Sequence, residues 1–312
     1  MNRRTFTKSL ALTTAAIGLG GVPALACKPV PQFSITMDDF NWQNALKLTA
    51  TQRNRAILNA LDAYSRRAAL FVVGRNIETD EGKQLLEPWD KSGHMIGNHT
   101  YSHRNLHAPE TNVEEYQQDI LRAEALLKEF PRFQKFFRFP MLKEGDTAAK
   151  RDAMRSFLTQ HGYRTGHVTI DNSDWLIDQR LTARLKKDPN ADVTPYRDFY
   201  LDHIWTRSQY YESLGQRVLG RPVKHTVLIH FNLLNGLFLG DLLAMYKAKG
   251  WRLIDAAEAF TDPVFASKPR VLPAGESIVW SLAKEKRIIA KSLRYPAEDS
   301  AAENARMDKL GL

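Results

Sequence analysis

Apolar residues along this chain fall into two alternating rhythms. After Pro29 and Pro31, the residues Phe33, Ile35 and Met37 alternate with polar neighbours, a period of two that predicts a strand. Ile57, Leu61 and Tyr64 then recur at helical spacing, and residues 68–73 (AALFVV) form a short apolar run, ended by Gly74, that predicts a buried strand. The exchange continues with a helix around Leu85 and Leu86 closed by Gly93, and a brief strand over 95–97. A capping box at Thr111 and Glu114 opens a helix with Val113, Tyr116, Ile120, Ala123 and Leu127 on its inner face. Next come a strand over 136–139, a helix over 149–161 stopped by Gly162, and a strand over 164–170. The longer polar and aromatic stretch 193–219 predicts a helix. A strand over 226–231, a helix over 241–249 ended by Gly250 and a strand over 252–254 complete the series.

Strand and helix thus alternate about seven times, which predicts parallel strands joined by helices, as a barrel or an open doubly wound sheet. There is no internal repeat and no low-complexity linker. From Pro263 onward the alternation stops, and the polar tail after Pro296 is expected at the periphery.

Composition narrows the class. With 312 residues, 43% hydrophobic and 25% charged, the chain is an ordinary globular sequence, which excludes disorder, collagen and coiled coil for the whole. Its single cysteine excludes an intrachain disulfide, so any metal site must use histidines and carboxylates. The net charge of +9 favours anionic surroundings such as cell-wall polymer without identifying a partner. The basic residues form no run with interleaved aromatics, so no nucleic-acid partner is expected.

The first 26 residues read as an address. A basic start with paired arginines (Arg3, Arg4, Lys8) precedes a weakly apolar stretch rich in Ala, Thr and Gly, and Ala24-Leu25-Ala26 places small residues where a signal peptidase reads. The opening resembles a twin-arginine signal, which implies bacterial export in a folded state to the periplasm or beyond. Cys27 follows at once, and Leu25-Ala26-Cys27 also resembles the end of a lipoprotein box. Since Ala24 stands where that box prefers Leu, a soluble exported protein is the first expectation. A membrane association through lipid on Cys27 is the second.

Candidate chemistry sits at the predicted strand ends, where a parallel β/α fold gathers functional residues. Asp38 and Asp39 end the first strand. His99 and His103 follow the strand over 95–97, Arg138 lies at the end of the next, Asp174 and Trp175 follow the strand after that, and His230 ends the strand beginning at Thr226. On a helical turn the His-x-x-x-His spacing would place both imidazoles on one face, within reach of one ion. Alone, such a pair is more often two surface histidines. A carboxylate at another strand end changes the balance, because two His and one Asp leave an open position for water. Asp39 is the candidate third ligand, and its neighbour Asp38 would stay free to take a proton. His230 follows three aliphatic residues. Opposite a metal site it becomes a candidate acid for a departing amine.

In this order the residues resemble the NodB-type polysaccharide deacetylases, carbohydrate esterase family 4. The family's Thr-Phe-Asp-Asp-Gly motif corresponds to Thr36-Met37-Asp38-Asp39-Phe40, and its His-Ser/Thr-x-x-His motif is complete over His99 to His103, preceded by Gly97-Asn98. Its Arg-x-Pro is Arg138-Phe139-Pro140, its Asp-x-x-Asp-Trp is Asp171 to Trp175, and its aliphatic-x-aliphatic-His ends on His230. The resemblance spans roughly residues 33–260. It implies a distorted (β/α) barrel of about seven parallel strands and a metal-dependent hydrolase that removes acetyl groups, usually from N-acetylated polysaccharides or oligosaccharides. By the resemblance, Asp38 is the general base, and Asp39, His99 and His103 bind one divalent ion, zinc or similar. His230 is the general acid, Arg138 orients Asp38, Asp174 tunes His230, and Trp175 packs nearby. Two departures stand out. Phe40 replaces the motif's glycine, so the turn there should need only ordinary backbone angles. Met141-Leu142 replaces a Tyr-Gly pair, yet the Met141 backbone N–H can still help hold an oxyanion. The expected organisation is an export signal over 1–26, a catalytic domain over 27–262 and a C-terminal extension over 263–312. Two other functions stay open: O-deacetylation of a polysaccharide such as xylan, and glycan binding without catalysis. Every expected position is filled, which argues against the latter.

Overall fold

Alternation along β1 (Gln32–Asp38) puts Ser34, Thr36 and Asp38 on one face and Phe33, Ile35 and Met37 on the other. The apolar face is covered by helix: Phe33 stacks on Tyr246 with ring centroids 3.9 Å apart. The polar face holds the Arg138 guanidinium, whose Nη1 donates to Thr36 Oγ1 at 2.9 Å and to Asp38 Oδ1 at 2.8 Å. The computed structural model describes residues 29–288 and 300–312, so the expected export signal and Cys27 lie outside the described residues.

The remaining strands are β2 (Ala69–Val72), β3 (Met95–Asn98), β4 (Phe133–Phe137), β5 (Lys143–Gly145), β6 (Arg164–Thr165), β7 (Lys224–His230), β8 (Arg252–Leu253) and β9 (Ala274–Gly275). The helices are α1 (Ala50–Asp62), α2 (Asp80–Lys91), α3 (Val113–Leu127), α4 (Ala148–Gln160), α5 (Asp174–Lys187), α6 (Thr194–Leu219), α7 (Leu233–Ala248), α8 (Ala256–Ala259), α9 (Ile278–Glu285) and α10 (Ser300–Lys309). Seven strands form one sheet in the order β6-β4-β3-β2-β1-β7, with β8 pairing the start of β1, and every pairing is parallel. The sheet curls until Ile170, five residues past β6, bridges Val227 of β7. Ile170 N donates to Thr226 O at 3.0 Å and Leu228 N to Ile170 O at 3.1 Å. The expected distorted barrel of about seven parallel strands is therefore present, closed by this one short bridge.

That closure corrects one expected element. The strand expected over 164–170 breaks in two, because its start pairs with β4 and its end with β7 across the barrel. The turn between passes Gly166, where an added Cβ would lie 2.4 Å from the Phe71 ring, so only glycine fits. The capping box at Thr111 also shifts by one residue. Asn112 is the N-cap of α3, its side chain accepting from Glu115 N, while Thr111 Oγ1 turns back to Asn105 O at 2.7 Å. Helix α7 begins at Leu233 rather than at Asp241, since Asn232 caps it and its leucines lie all round the helix, erasing the period. The strand before it accordingly stops at His230. Helix α5 was not expected at all, although Leu176, Ile177, Leu181 and Leu185 are its buried residues. The tail is not peripheral: in α10, Glu303 is 1% and Met307 0% exposed. Among the described residues no helix is long and apolar enough to cross a membrane.

Candidate active site

Each strand that contributes chemistry does so at its C-terminal end, as parallel topology requires. Asp38 is the last residue of β1 and His230 the last of β7, and the register sets them side by side. His99 follows β3 directly, Arg138 follows β4, and Asp174 opens α5 just beyond the closing bridge. Backbone strain gathers here. Asp39 (φ 61°), Thr100 (63°), His103 (60°), Met141 (54°) and Leu142 (56°) all sit in the left-handed region, which side-chain-bearing residues keep only when their surroundings hold them there. Phe40 does not. Asp39 takes the strained angle instead, and the Phe40 ring is fully buried against Phe231 at 4.9 Å.

The histidine pair corrects a further expectation. Residues 99–103 are not a helical turn but an irregular loop. Asp119 of α3 clamps it, Oδ2 accepting from Tyr101 N, Ser102 N and Ser102 Oγ at 3.1, 2.9 and 2.9 Å. Asn98 Oδ1 accepts from Thr100 N at 2.8 Å, and Thr100 Oγ1 accepts from His103 N at 2.9 Å. The imidazoles still converge, with ring centroids 5.0 Å apart. Asp119 was not among the expected site residues; one acid among several on a helix gives no sign of clamping a distant loop.

Asp39, His99 and His103 can each offer one ligand atom, all within 4.8 Å of one another. Asp39 Oδ1 lies 3.1 Å from His103 Nε2 and 3.6 Å from His99 Nε2. It is buried yet accepts no hydrogen bond of good geometry among the described residues, and an orphaned carboxylate oxygen between two imidazoles is the environment a cation would satisfy. His99 Nδ1 lies 2.8 Å from Arg138 O, an acceptor only, so Nδ1 carries the proton and Nε2 presents its lone pair to Asp39. Burial holds the His99 imidazole below its ordinary range, which keeps it neutral. Burial would raise Asp39, but the His103, His230 and His99 imidazoles outweigh it and hold the carboxyl below the usual range. The donor set therefore fits a divalent cation.

On either side of this cluster lie a carboxylate and an imidazole. Asp38 is 3% exposed; its Oδ1 is held by Arg138, and its Oδ2 lies 3.7 Å from His99 Nε2. Arg138 is itself fixed by Gly166 O, which accepts from Nε at 2.8 Å, and by stacking 4.0 Å over the Phe71 ring. His230 Nδ1 donates to Asp174 Oδ1 at 2.6 Å. Asp174 has no exposed surface, and its Oδ2 accepts from His230 N at 2.9 Å and from Asn235 Nδ2 at 2.8 Å. Burial would lower the His230 pKa, yet the Asp174 carboxylate, followed by Asp39 and Asp38, pushes it up to about 10. A cavity of about 500 Å³ joins Asp38, Asp39, His99, His103, Met141, Trp175 and His230. Trp175, 36% exposed, separates it from a second cavity of about 570 Å³ lined by Gln43, Asn44, Arg53, Asp178 and Lys186.

All eight expected site residues thus border one cavity or touch a residue that does. Residues 26–166 match the family model described as polysaccharide deacetylase. A Bacillus cereus protein named peptidoglycan-N-acetylglucosamine deacetylase is 29% identical over 120 residues, which is 38% of this chain and 40% of that protein. A second Bacillus cereus protein of the same name is 32% identical over 111 residues, 35% of this chain and 46% of its own length. The chain thus spans less than half the length of these curated relatives. A solved pseudoenzyme of carbohydrate esterase family 4 from Bacillus anthracis shares the fold at a TM-score of 0.50, with 14% identity over 74% of this chain and 65% of that one. The chain is therefore related to the NodB-type polysaccharide deacetylases its motifs resemble.

Proposed function

We propose that this protein is a metal-dependent N-deacetylase of acetylated glycans, exported from the cell. The observation that carries the reading is the convergence of Asp39, His99 and His103 on one point, with Asp38 and His230 in adjacent register beside it. Fold alone would not suffice, since a solved relative of the same fold is a pseudoenzyme. A divalent cation held by Asp39, His99 and His103, zinc or similar, supplies polarisation of the acetyl carbonyl and acidification of water. Asp38 accepts a proton from the attacking water, its carboxylate aimed by Arg138. Met141, which borders the cavity, offers its backbone N–H to the oxyanion. His230 delivers its Nε2 proton to the departing nitrogen, which leaves poorly as an amide anion. Its charge on Nδ1–H is balanced by Asp174.

The cavities on both sides of Trp175 give room for sugar units flanking the acetylated one. The names of the two curated relatives make N-acetylglucosamine polymers, peptidoglycan among them, the first substrates to test. Acetate release from peptidoglycan, N-acetylglucosamine oligomers and O-acetylated xylan, with chelation and metal add-back, tests the reading. N-acetyl substrates should be turned over only with cation present, and Asp38→Asn should keep the cation and lose turnover. Near-normal turnover by Asp38→Asn, or release indifferent to chelation, refutes it. Export is proposed from the twin-arginine-like start alone, and the mass of the mature N-terminus in a secreted fraction tests it, a lipid on Cys27 being the outcome that would replace a soluble product.

A further inference from the structure

We infer that the C-terminal helix belongs to the site: Glu303, acting through His203, positions Ser173 and Asp174 and hence the His230 imidazole. The inference rests on the proposed function only for its catalytic consequence. Glu303 lies within α10 at 1% exposure, surrounded by cationic or imidazole groups. Arg207 of α6 makes a very short ion pair with it, Arg306 Nη1 lies 3.0 Å away, and His203 Nδ1 lies 3.4 Å away. His203, on α6, has no exposed surface. Its other nitrogen, Nε2, is 3.0 Å from Ser173 N, which can only donate. Nε2 must therefore be the lone-pair nitrogen, and the proton sits on Nδ1, which faces the Glu303 carboxylate at 3.4 Å as a charge contact without hydrogen-bond geometry. Burial lowers the His203 pKa, in keeping with a neutral ring. Against burial, which would raise it, His203 and Arg207 push the Glu303 carboxyl down to about 2, in keeping with an ion.

The point of attachment is what gives this chain of contacts a consequence. Ser173 precedes α5, and its carbonyl accepts from Leu176 N at 3.0 Å and Ile177 N at 3.2 Å, so it anchors the first turn. Its own hydroxyl is buried without a partner among the described residues, and the His203 lone pair fixes the peptide joining Asn172 and Ser173, while Asn172 Oδ1 accepts from Asp174 N at 3.0 Å. The next residue is Asp174, whose Oδ1 is 2.6 Å from His230 Nδ1. A shift of the backbone at Ser173, released from His203, would carry Asp174 and its carboxylate with it, and misplacement by about 1 Å at a reacting group costs on the order of 100-fold in rate. Ser300, the first residue of α10, also borders the reacting cavity. Glu303 and His203 are thus positioning residues that touch neither substrate nor cation.

The test compares Glu303→Ala with Glu303→Gln in the full, zinc-loaded chain. Glutamine keeps an acceptor for His203 Nδ1–H but loses the charge facing Arg207 and Arg306. Glu303→Ala should lower kcat roughly 10- to 100-fold with KM nearly unchanged, and Glu303→Gln should recover most of it. If the residue only anchors α10 by its ion pairs, alanine and glutamine will fall together, which overturns the inference. Two readouts need no acetylated substrate, so they survive failure of the proposed function. Hydrogen exchange at the Ser173 amide should quicken in Glu303→Ala and not in Glu303→Gln, and unchanged exchange in a folded Glu303→Ala counts against the inference. Nitrogen NMR of the unmodified protein should show His203 neutral and protonated on Nδ1, while an Nε2–H tautomer or an imidazolium overturns it even if every variant fails to fold.

Discussion

Asp174→Asn isolates the group that makes His230 an acid. Without a bound cation, His230 is pushed up to about 10 against its ordinary 6.5, with burial opposing and the Asp174 charge and hydrogen bond the two largest favourable causes. The substitution removes both and leaves burial in place. With burial then opposed only by the Asp39 and Asp38 carboxylates, the imidazole should titrate well below 10. The sign of the linked stability follows. A group whose folded pKa lies above its unfolded one contributes fully below about pH 6.5, and that contribution is lost as pH rises towards 10. For an imidazole 18% exposed, the shift corresponds to at most about 5 kcal/mol. The asparagine amide must also turn its NH₂ toward His230 Nδ1 or toward a donor, His230 N or Asn235 Nδ2, and an unsatisfied buried group adds about 1–3 kcal/mol. The assay is urea unfolding of the chelated protein at pH 6, 8 and 10, with the His230 ring followed by proton NMR. The unmodified protein should lose stability across that range more steeply than Asp174→Asn, which should also lose on the order of 100-fold or more in turnover. A His230 titration identical in the two proteins refutes the assignment.

Other expectations follow from the same geometry. Arg138→Ala strands the Asp38 carboxylate in a buried site, which should cost about 3–5 kcal/mol in urea unfolding; Arg138→Lys should not rescue it, since the fork to Thr36, Asp38 and Gly166 needs a guanidinium. Zinc at about 100 times its Kd should add roughly 2.7 kcal/mol of stability, visible as a rise in Tm, and Asp39→Ala should abolish that rise. Phe40→Ala should cost about 3–5 kcal/mol by thermal or urea unfolding, because the ring is fully buried; a neutral result would mean that this position behaves as the family's glycine does.

Residue types and their order made much of this legible before any fold was known. The period-two run of β1, the apolar run of β2 and the helical period of α3 each mark an element, because burial on one or two faces leaves its trace in local sequence. The polar residues that interrupt those runs at strand ends mark the site, because parallel strands all point one way. Where burial is not periodic, the trace fades. Helix α7 is apolar all round and hides its own start, and the strand after α4 splits because its two ends answer to different neighbours.

Local sequence set the donor types, Asp39 with two imidazoles, and the strand ends that carry them. Tertiary structure decided the rest: that residues 99–103 converge as a clamped loop rather than a helical turn, that Ile170 and Val227 close the barrel, and that Glu303 reaches His203 across a hundred residues. Contacts of that kind depend on directions in space, and a one-dimensional pattern of polar and apolar positions carries no record of direction beyond its own helix or strand.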